Sequence, residues 1–335
     1  MKANIGIVVL LLGCILTDFA YAQDTYLSLE FGNGRIHGGN EEGSPGGSRS
    51  MDGRAFEVRG GRAQASPFGP GRIDFVHYNE GHPDNNHRDG FALQWVGVRP
   101  LGGTFTGELG IGPYLSMNTT TSGGREFDDA HWGLLLGGAL RLPLSALPAG
   151  THLRLGLDYA WVPGAHRSAA VLLGIGREFG PAQPTPETQP VSGPWWFGGS
   201  IGRSITNMSS TDGANAGVLE ARKYLETDFA HWAMSGKLVW EGDDGRRVDR
   251  DGAAVQLFYV QQVTPRFAVD AGIGPYVARN ERDEDDKLHA NLLITIQAER
   301  ALSRETRAFI NFNRIKTVRQ TNDRDLLQVG VLKRF

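Results

Sequence analysis

The chain ends with the stretch LLQVGVLKRF, Leu326 to Phe335. Counting back by twos from the last residue gives four positions, three of them apolar: Lys333, Val331, Val329 and Leu327. Residues two apart share one face of an extended strand. The stretch therefore predicts a β-strand with one mostly apolar face that closes on an aromatic side chain.

The N-terminus has the three parts of a secretory signal peptide. Lys2 gives a short positive region, Ile5–Leu16 an apolar core, and Ala20-Tyr21-Ala22 a small-x-small cleavage site. We expect residues 1–22 to be removed. The only cysteine, Cys14, lies in this segment, so the mature chain would have no disulfide and no thiolate ligand. A lipoprotein signal ending at Cys14 is the alternative.

Composition favours strands over helices. No apolar run approaches the roughly 18 residues that a spanning helix needs. Short alternating segments are instead separated by Gly, Pro, Asn and Asp, and 46 of the 335 residues are glycine. The net charge of only −3 gives no global field for nucleic acid, so we expect no nucleic-acid partner.

The exported N-terminus and the terminal aromatic at Phe335 together resemble Gram-negative outer-membrane β-barrel proteins. Lys333 departs from their C-terminal assembly signal, where an apolar or aromatic residue is usual. The resemblance implies an outer-membrane location, contact with outer-membrane lipid and lipopolysaccharide, and recognition of Phe335 by the barrel-assembly machinery. Low hydropathy agrees, since every second residue of such a barrel faces a polar lumen. A soluble periplasmic β-sandwich is the alternative.

The chain is also an internal repeat. Arg88–Tyr114 and Arg250–Tyr276 align without a gap, and 12 of 27 positions are identical. The halves end alike, on Phe179 and Phe335. The shared Arg-Asp-Gly and Gly-Ile-Gly-Pro-Tyr are expected to be structural, because both copies keep them.

Each half divides into about eight strands, with short turns on one side and longer polar loops on the other, as in outer-membrane barrels. The predicted strands begin near Tyr26, Arg54, Arg72, Asp89, Phe105, His131, His152 and Ser168, and near Trp195, Gly217, Ala233, Ala253, Arg266, Leu288, Arg307 and Asp325.

Residues 181–194 are proline-rich and predict an unpaired linker. Such a linker fits between two separate barrels, one at 23–180 and one at 195–335. The expected fold is all-β: two tandem, antiparallel, eight-stranded transmembrane β-barrels, with one 16-stranded barrel as the alternative. Eight strands leave an interior filled by side chains, which argues against a wide pore.

One segment carries candidate chemistry. His77–Gly90 joins predicted strands 3 and 4 at the expected extracellular rim, and it holds three of the nine histidines. The matching stretch of the second half, Val239–Gly252, has no histidine or asparagine. These residue types are thus particular to the first half, through function or drift. The candidate catalytic residues are His77, Asn79, Glu80, His82, His87 and Asp89.

The eight strands, the rim position and the His-x-polar start of this hairpin resemble the lipid A deacylases of the outer membrane. Those eight-stranded barrels hydrolyse the ester at position 3 of lipid A. The resemblance implies His77 as the base and Asp89, or else Glu80, as the orienting acid. Asn79 stands where that family has its serine, and an amide is not a nucleophile for acyl transfer. Hydrolysis here would need a water activated by His77 or by a metal.

Two other interpretations stay open. The three histidines, five residues apart with acids between them, could hold a metal ion, although the spacing matches no standard zinc signature. Otherwise the segment is a hydrated loop whose histidines meet solvent or lipopolysaccharide phosphates. The sequence implies no cofactor and leaves enzymatic activity open. It favours an envelope barrel with a structural, adhesive or small-solute role; the alternatives are a lipid A or glycolipid acyl hydrolase and a narrow porin or export channel.

Overall fold

The computed structural model describes residues 25–38, 50–66, 69–81, 86–122, 125–180, 193–205, 213–225, 232–245, 248–282, 287–318 and 322–335. The predicted signal peptide and residues 181–192 of the predicted linker lie outside the described residues. Within those ranges, no helix is long and apolar enough to cross a membrane.

Sixteen strands form two closed barrels, as the sequence predicted, and the single 16-stranded barrel is wrong. The first barrel contains β1 (Thr25–Gly38), β2 (Ser50–Ser66), β3 (Gly69–Gly81), β4 (Asn86–Gly102), β5 (Phe105–Ser122), β6 (Arg125–Pro143), β7 (Thr151–Val162) and β8 (His166–Phe179). The second contains β9 (Trp195–Ile205), β10 (Ala214–Tyr224), β11 (Trp232–Asp243), β12 (Asp249–Thr264), β13 (Phe267–Asn280), β14 (Leu288–Ala301), β15 (Thr306–Lys316) and β16 (Arg324–Arg334).

Neighbouring strands pair antiparallel all the way round each barrel. β1 closes on β8, and β9 closes on β16. Tight connections such as 102–105 lie at one end of the first barrel, and the longer 38–50 connection lies at the other. In outer-membrane barrels the short turns face the periplasm, so we call the end with the longer connections the outer end.

Side chains alternate across the barrel wall. In β8, Ala170 and Leu172 are buried in the lumen, whereas Val171, Leu173 and Ile175 are each more than half exposed on the outside. The lumen side of other strands carries buried arginine, glutamate and aspartate. An apolar outer face around a charged interior is the arrangement that a membrane requires of a barrel, since lipid contacts the outer face.

The repeated sequence motif has a packing explanation. A Cβ added at Gly90 would lie 2.5 Å from the Tyr114 ring, and one at Gly252 would lie 2.6 Å from the Tyr276 ring. Each tyrosine thus lies over the glycine of its own Arg-Asp-Gly. This ring-over-glycine contact is the physical reason why the residues shared by both halves are structural.

The same motif marks a break in pairing. Partners run to Ala92↔Tyr114 and resume at Trp95↔Ile111. In the second half the equivalent break lies between Ala254↔Tyr276 and Leu257↔Ile273. Within this gap a backbone carbonyl lies close to a glycine: a Cβ on Gly274 would lie 1.8 Å from the Val255 carbonyl oxygen.

Gly274→Ala should therefore destabilise the second barrel, by about 1–3 kcal/mol, because backbone must move to admit the methyl group. The check is the temperature at which the folded band converts to the unfolded band on semi-native gels. Gly236→Ala is the matched control, since a Cβ there meets nothing within 4 Å. Equal conversion temperatures for the two variants would contradict the prediction.

Candidate functional site

The candidate residues do not form one site, because the barrel wall divides them. Four project from the outer face of the first barrel towards the second barrel: His77 and Asn79 on β3, His87 and Asp89 on β4. Glu80 points into the lumen, where it meets His166 and Tyr114. His82 lies outside the described residues.

His77 is enclosed by aromatic rings. Its ring centroid lies 5.5 Å from Phe56, 4.9 Å from Phe91 and 5.8 Å from Phe312 of the second barrel. Nδ1 lies 3.2 Å from the Gly90 carbonyl oxygen, and a carbonyl only accepts, so Nδ1 carries the proton. Only 5% of the residue is exposed. Protein side chains therefore shield the His77 ring from solvent.

Asn79 and His87 form a second polar contact on this face. The Gly81 N–H donates to Asn79 Oδ1, which leaves Asn79 Nδ2 as the donor towards His87 Nε2 at 3.0 Å. His87 Nε2 also lies 3.4 Å from Asp89 Oδ2. His87 is 6% exposed and Asp89 2%. Asn79 thus holds the His87 ring in place.

The residue that completes this cluster is an arginine of the second barrel that the sequence reading missed. Arg314 Nη1 donates to both carboxylate oxygens of Asp325, each at 2.9 Å. Its Nη2 lies 3.9 Å from Asp89 Oδ1 and 3.7 Å from Asp323 Oδ2. The guanidinium is 1% exposed. We call His87, Asp89, Arg314, Asp323 and Asp325 the polar seam.

The polar seam belongs to a longer contact between the barrels. Beside it, Phe91 and Met117 of the first barrel form one apolar cluster with Ile294 of the second. Towards the periplasmic end, Arg62 Nη1 donates to the Tyr259 hydroxyl at 3.3 Å, and Gln261 Nε2 donates to Thr25 Oγ1 at 3.0 Å. The two halves therefore meet along their length.

Each barrel has a charged side chain on its outer face at this contact. A charged side chain on the lipid face of a barrel is destabilising, by up to a few kcal/mol at the bilayer midplane and less near the interfaces. Asp89 and Arg314 are both on outer faces, and each barrel covers the charge of the other. His77, Asn79 and His87 lie at this contact, and the matching stretch of the second half has no histidine or asparagine.

Glu80 lies at the outer end of the first lumen. It accepts from His166 Nε2 at 2.9 Å and from the Tyr114 hydroxyl at 2.7 Å, while Arg88 Nη1 lies 3.0 Å from His166 Nδ1. The second barrel has the same arrangement without the histidine. There Arg250 Nε and Nη2 donate to Glu241 at 2.5 and 2.8 Å, and the Tyr276 hydroxyl donates at 2.9 Å.

The first lumen is filled by paired charges. Arg154 donates to Glu30 at 2.5 Å and to Glu108 at 2.9 Å. Arg59 donates to Asp74 at 3.1 Å from the neighbouring strand. These side chains are at most 2% exposed. A layer of ion pairs thus crosses the interior.

The second lumen contains a similar layer. Arg222 donates to Glu220 at 2.8 Å and to Asp270 at 2.9 Å. Glu299 lies 3.3 Å from the same guanidinium and accepts from the Tyr224 hydroxyl at 3.0 Å. The ions of this layer are also almost fully buried.

The metal hypothesis finds no cluster within the described ranges. No group of three or more His, Cys, Asp or Glu side chains there could hold a metal ion. His82 and Asp84, two members of the proposed set, lie outside those ranges.

No family model and no curated protein matches the chain. Among solved structures it is similar to Neisserial surface protein A, with 14% identity and a TM-score of 0.37 over 48% of this chain and 100% of that chain. It is also similar to Ail, the attachment invasion locus protein of Yersinia pestis, with 12% identity and a TM-score of 0.35 over 47% and 99%. An outer membrane channel from Pseudomonas putida F1 aligns over 95% and 97% at 10% identity, with a TM-score of 0.25.

These similarities are too low to carry a functional argument, and the strand pairing itself shows the fold. Two closed eight-stranded barrels, each with an apolar outer face, have the architecture of a tandem outer-membrane β-barrel protein.

Proposed function

We propose that the protein is a structural component of the outer membrane, a docked pair of closed barrels that presents surface loops and conducts no solute. The observation that carries the proposal is the layer of buried ion pairs in each lumen. Arg154 in the first barrel and Arg222 in the second are each held by carboxylates from more than one strand. A solute would have to break these pairs to pass.

Ion pairs suit a role in rigidity better than one in transport. Separating a buried pair leaves uncompensated charges and costs about 3–5 kcal/mol. Each guanidinium here contacts several carboxylates, so opening a path would break more than one contact. A rigid barrel with a fixed interior suits anchoring and the display of loops.

The acyl hydrolase receives less support from the geometry. A base must reach the proton that it removes, and His77 is enclosed by Phe56, Phe91 and Phe312. Asn79 is already bonded to His87. Hydrolysis at this position would need the second barrel to move away from the first.

Planar-bilayer recording tests the closed state. We expect no discrete conductance steps from the purified mature protein in 1 M KCl, on the order of the ionic strength that screens surface charge. The same preparation must show folded barrels on semi-native gels, so that absence of current is not absence of insertion. Uniform steps that scale with the amount of folded protein would contradict the proposal and favour the narrow channel.

A further inference from the structure

Three arginines face outwards near the outer end of the first barrel. Arg35 lies on β1, Arg54 on β2 and Arg167 on β8, which are adjacent strands. Strand pairing gives the position of each arginine along the barrel wall. Arg54 lies opposite Asn33 of β1, and Arg167 lies opposite His37 of β1. All three arginines are exposed, on a face that the second barrel does not cover.

These arginines lie just beyond the apolar belt. On β1 the outward residues change from Leu29 and Phe31, both largely exposed, to Asn33 and then Arg35. On β8 the change runs from Val171 through Ala169 to Arg167. In a membrane barrel this height corresponds to the boundary between acyl chains and headgroups.

A groove runs from the arginines into the apolar belt. Its volume is about 530 Å³, and its walls include Arg35 and Arg54 above and Leu157 and Val171 below. Gly34 and Gly53 also line it. The groove therefore offers cationic and apolar surface at once, to a ligand that is anionic at one end and apolar at the other.

The arginine charges are largely uncommitted. Arg54 and Arg167 form no hydrogen bond or ion pair with any residue that the structure describes. Arg35 uses Nε for a 2.7 Å bond to Ser50 Oγ, with Asp52 at 3.6 Å. The lumen arginines Arg59 and Arg154, in contrast, are each paired with more than one carboxylate.

We propose that Arg35, Arg54 and Arg167 bind a phosphate of a phosphorylated glycolipid in the outer leaflet, with one acyl chain in the groove. The guanidinium fork matches the geometry of phosphate oxygens. Arg35 and Arg54 line the groove together with a single carboxylate, Asp52, and Arg167 lies above it on β8, opposite His37. This assignment is independent of whether the lumens conduct.

The second barrel supplies a matched control. Arg203 on β9 also faces outwards and is exposed, but its guanidinium donates to Asn215 Oδ1 at 3.0 Å and to the Gly213 carbonyl. The Arg203 guanidinium is therefore already hydrogen-bonded to neighbouring protein groups. Removing it tests the loss of one surface arginine without loss of the proposed site.

The test is native mass spectrometry of the full mature protein titrated with bis-phosphorylated lipid A and with the same lipid after dephosphorylation. We expect the wild type and Arg203→Ala to retain the phosphorylated lipid. The combined variant Arg35→Ala, Arg54→Ala, Arg167→Ala should bind it about 100-fold more weakly, at roughly a fivefold loss per arginine.

Equal binding of the two lipids by the wild type would overturn the proposal, and that comparison needs no variant to fold. Undiminished binding by the triple variant would also overturn it. Semi-native gels establish that the variant is folded, and Arg54→Glu, a single change on an exposed position, serves if the triple variant is not.

Discussion

Arg314→Ala is expected to release the two barrels from each other while each remains folded. The guanidinium is the cation that lies among Asp89, Asp323 and Asp325. Its loss leaves these three carboxylates close together without that cation. Of the three, Asp323 has an ion pair with Lys316. Repulsion then replaces attraction at the outer end of the seam.

The expected magnitude is large because the group is buried. Removing one partner of a buried charge cluster costs about 3–5 kcal/mol. The closure of each barrel does not involve Arg314, since hydrogen bonds between neighbouring strands supply it. Arg314 also bonds Asp325 on the neighbouring β16, so the loss falls partly on the outer end of the second barrel and partly on docking.

Pulsed electron resonance between two spin labels measures docking directly. Labels at exposed Val171 and Leu288 report one distance between the barrels, and the mature chain is expected to contain no native cysteine. We expect a narrow distribution in the wild type and a broad one in Arg314→Ala. Arg300→Ala, an exposed arginine on the adjacent β14, should leave the distribution narrow. A narrow distance distribution in Arg314→Ala would contradict the prediction that the polar seam holds the two barrels together.

The repeat was the part of the fold that the sequence could predict. Alternation predicts strands because side chains on a strand have a period of two. The gapless alignment of Arg88–Tyr114 with Arg250–Tyr276 identified the shared packing motif, whose cause is the contact of Tyr114 with Gly90 and of Tyr276 with Gly252. Strand bounds were less certain: β6 begins at Arg125 and not near His131, and β12 begins at Asp249 and not near Ala253.

The candidate site shows where sequence reasoning stopped. His77 and Asn79 are two residues apart on a strand and so share a face, but which face depends on register, and a shift of one residue exchanges lumen for exterior. Glu80, next in sequence, points the other way. Arg314 lies more than 200 residues from Asp89, so no local pattern links them. An outward arginine between Phe312 and Lys316 was the available signal, but its partner Asp89 lies on the first barrel.

The lumen gives the other large effect: Arg154→Met should destabilise the first barrel by about 3–5 kcal/mol. Arg154 is bonded to Glu30 and Glu108 and lies 3.4 Å from Glu57. Glu108 keeps Arg72 and Glu57 keeps Arg59, each within 2.8 Å. Among the described residues, Glu30 keeps the hydrogen bond from the Ser28 hydroxyl, at 2.9 Å, so the charge left without a cation is mainly that of Glu30.

Hydrogen exchange read by mass spectrometry separates the two barrels, because peptides from β7 and β15 report each one independently. In Arg154→Met we expect faster exchange in β7 and unchanged exchange in β15. Adding Glu30→Gln should restore part of the protection, since the uncompensated charge is then removed together with its partner, and a buried pair replaced as a whole costs little. No recovery in the double variant would mean that Arg154 acts through its volume rather than its charge. If β7 is protected equally in Arg154→Met and in the wild type, the ion-pair layer does not stabilise the barrel. The proposal of a closed, rigid lumen would then have no support from that layer.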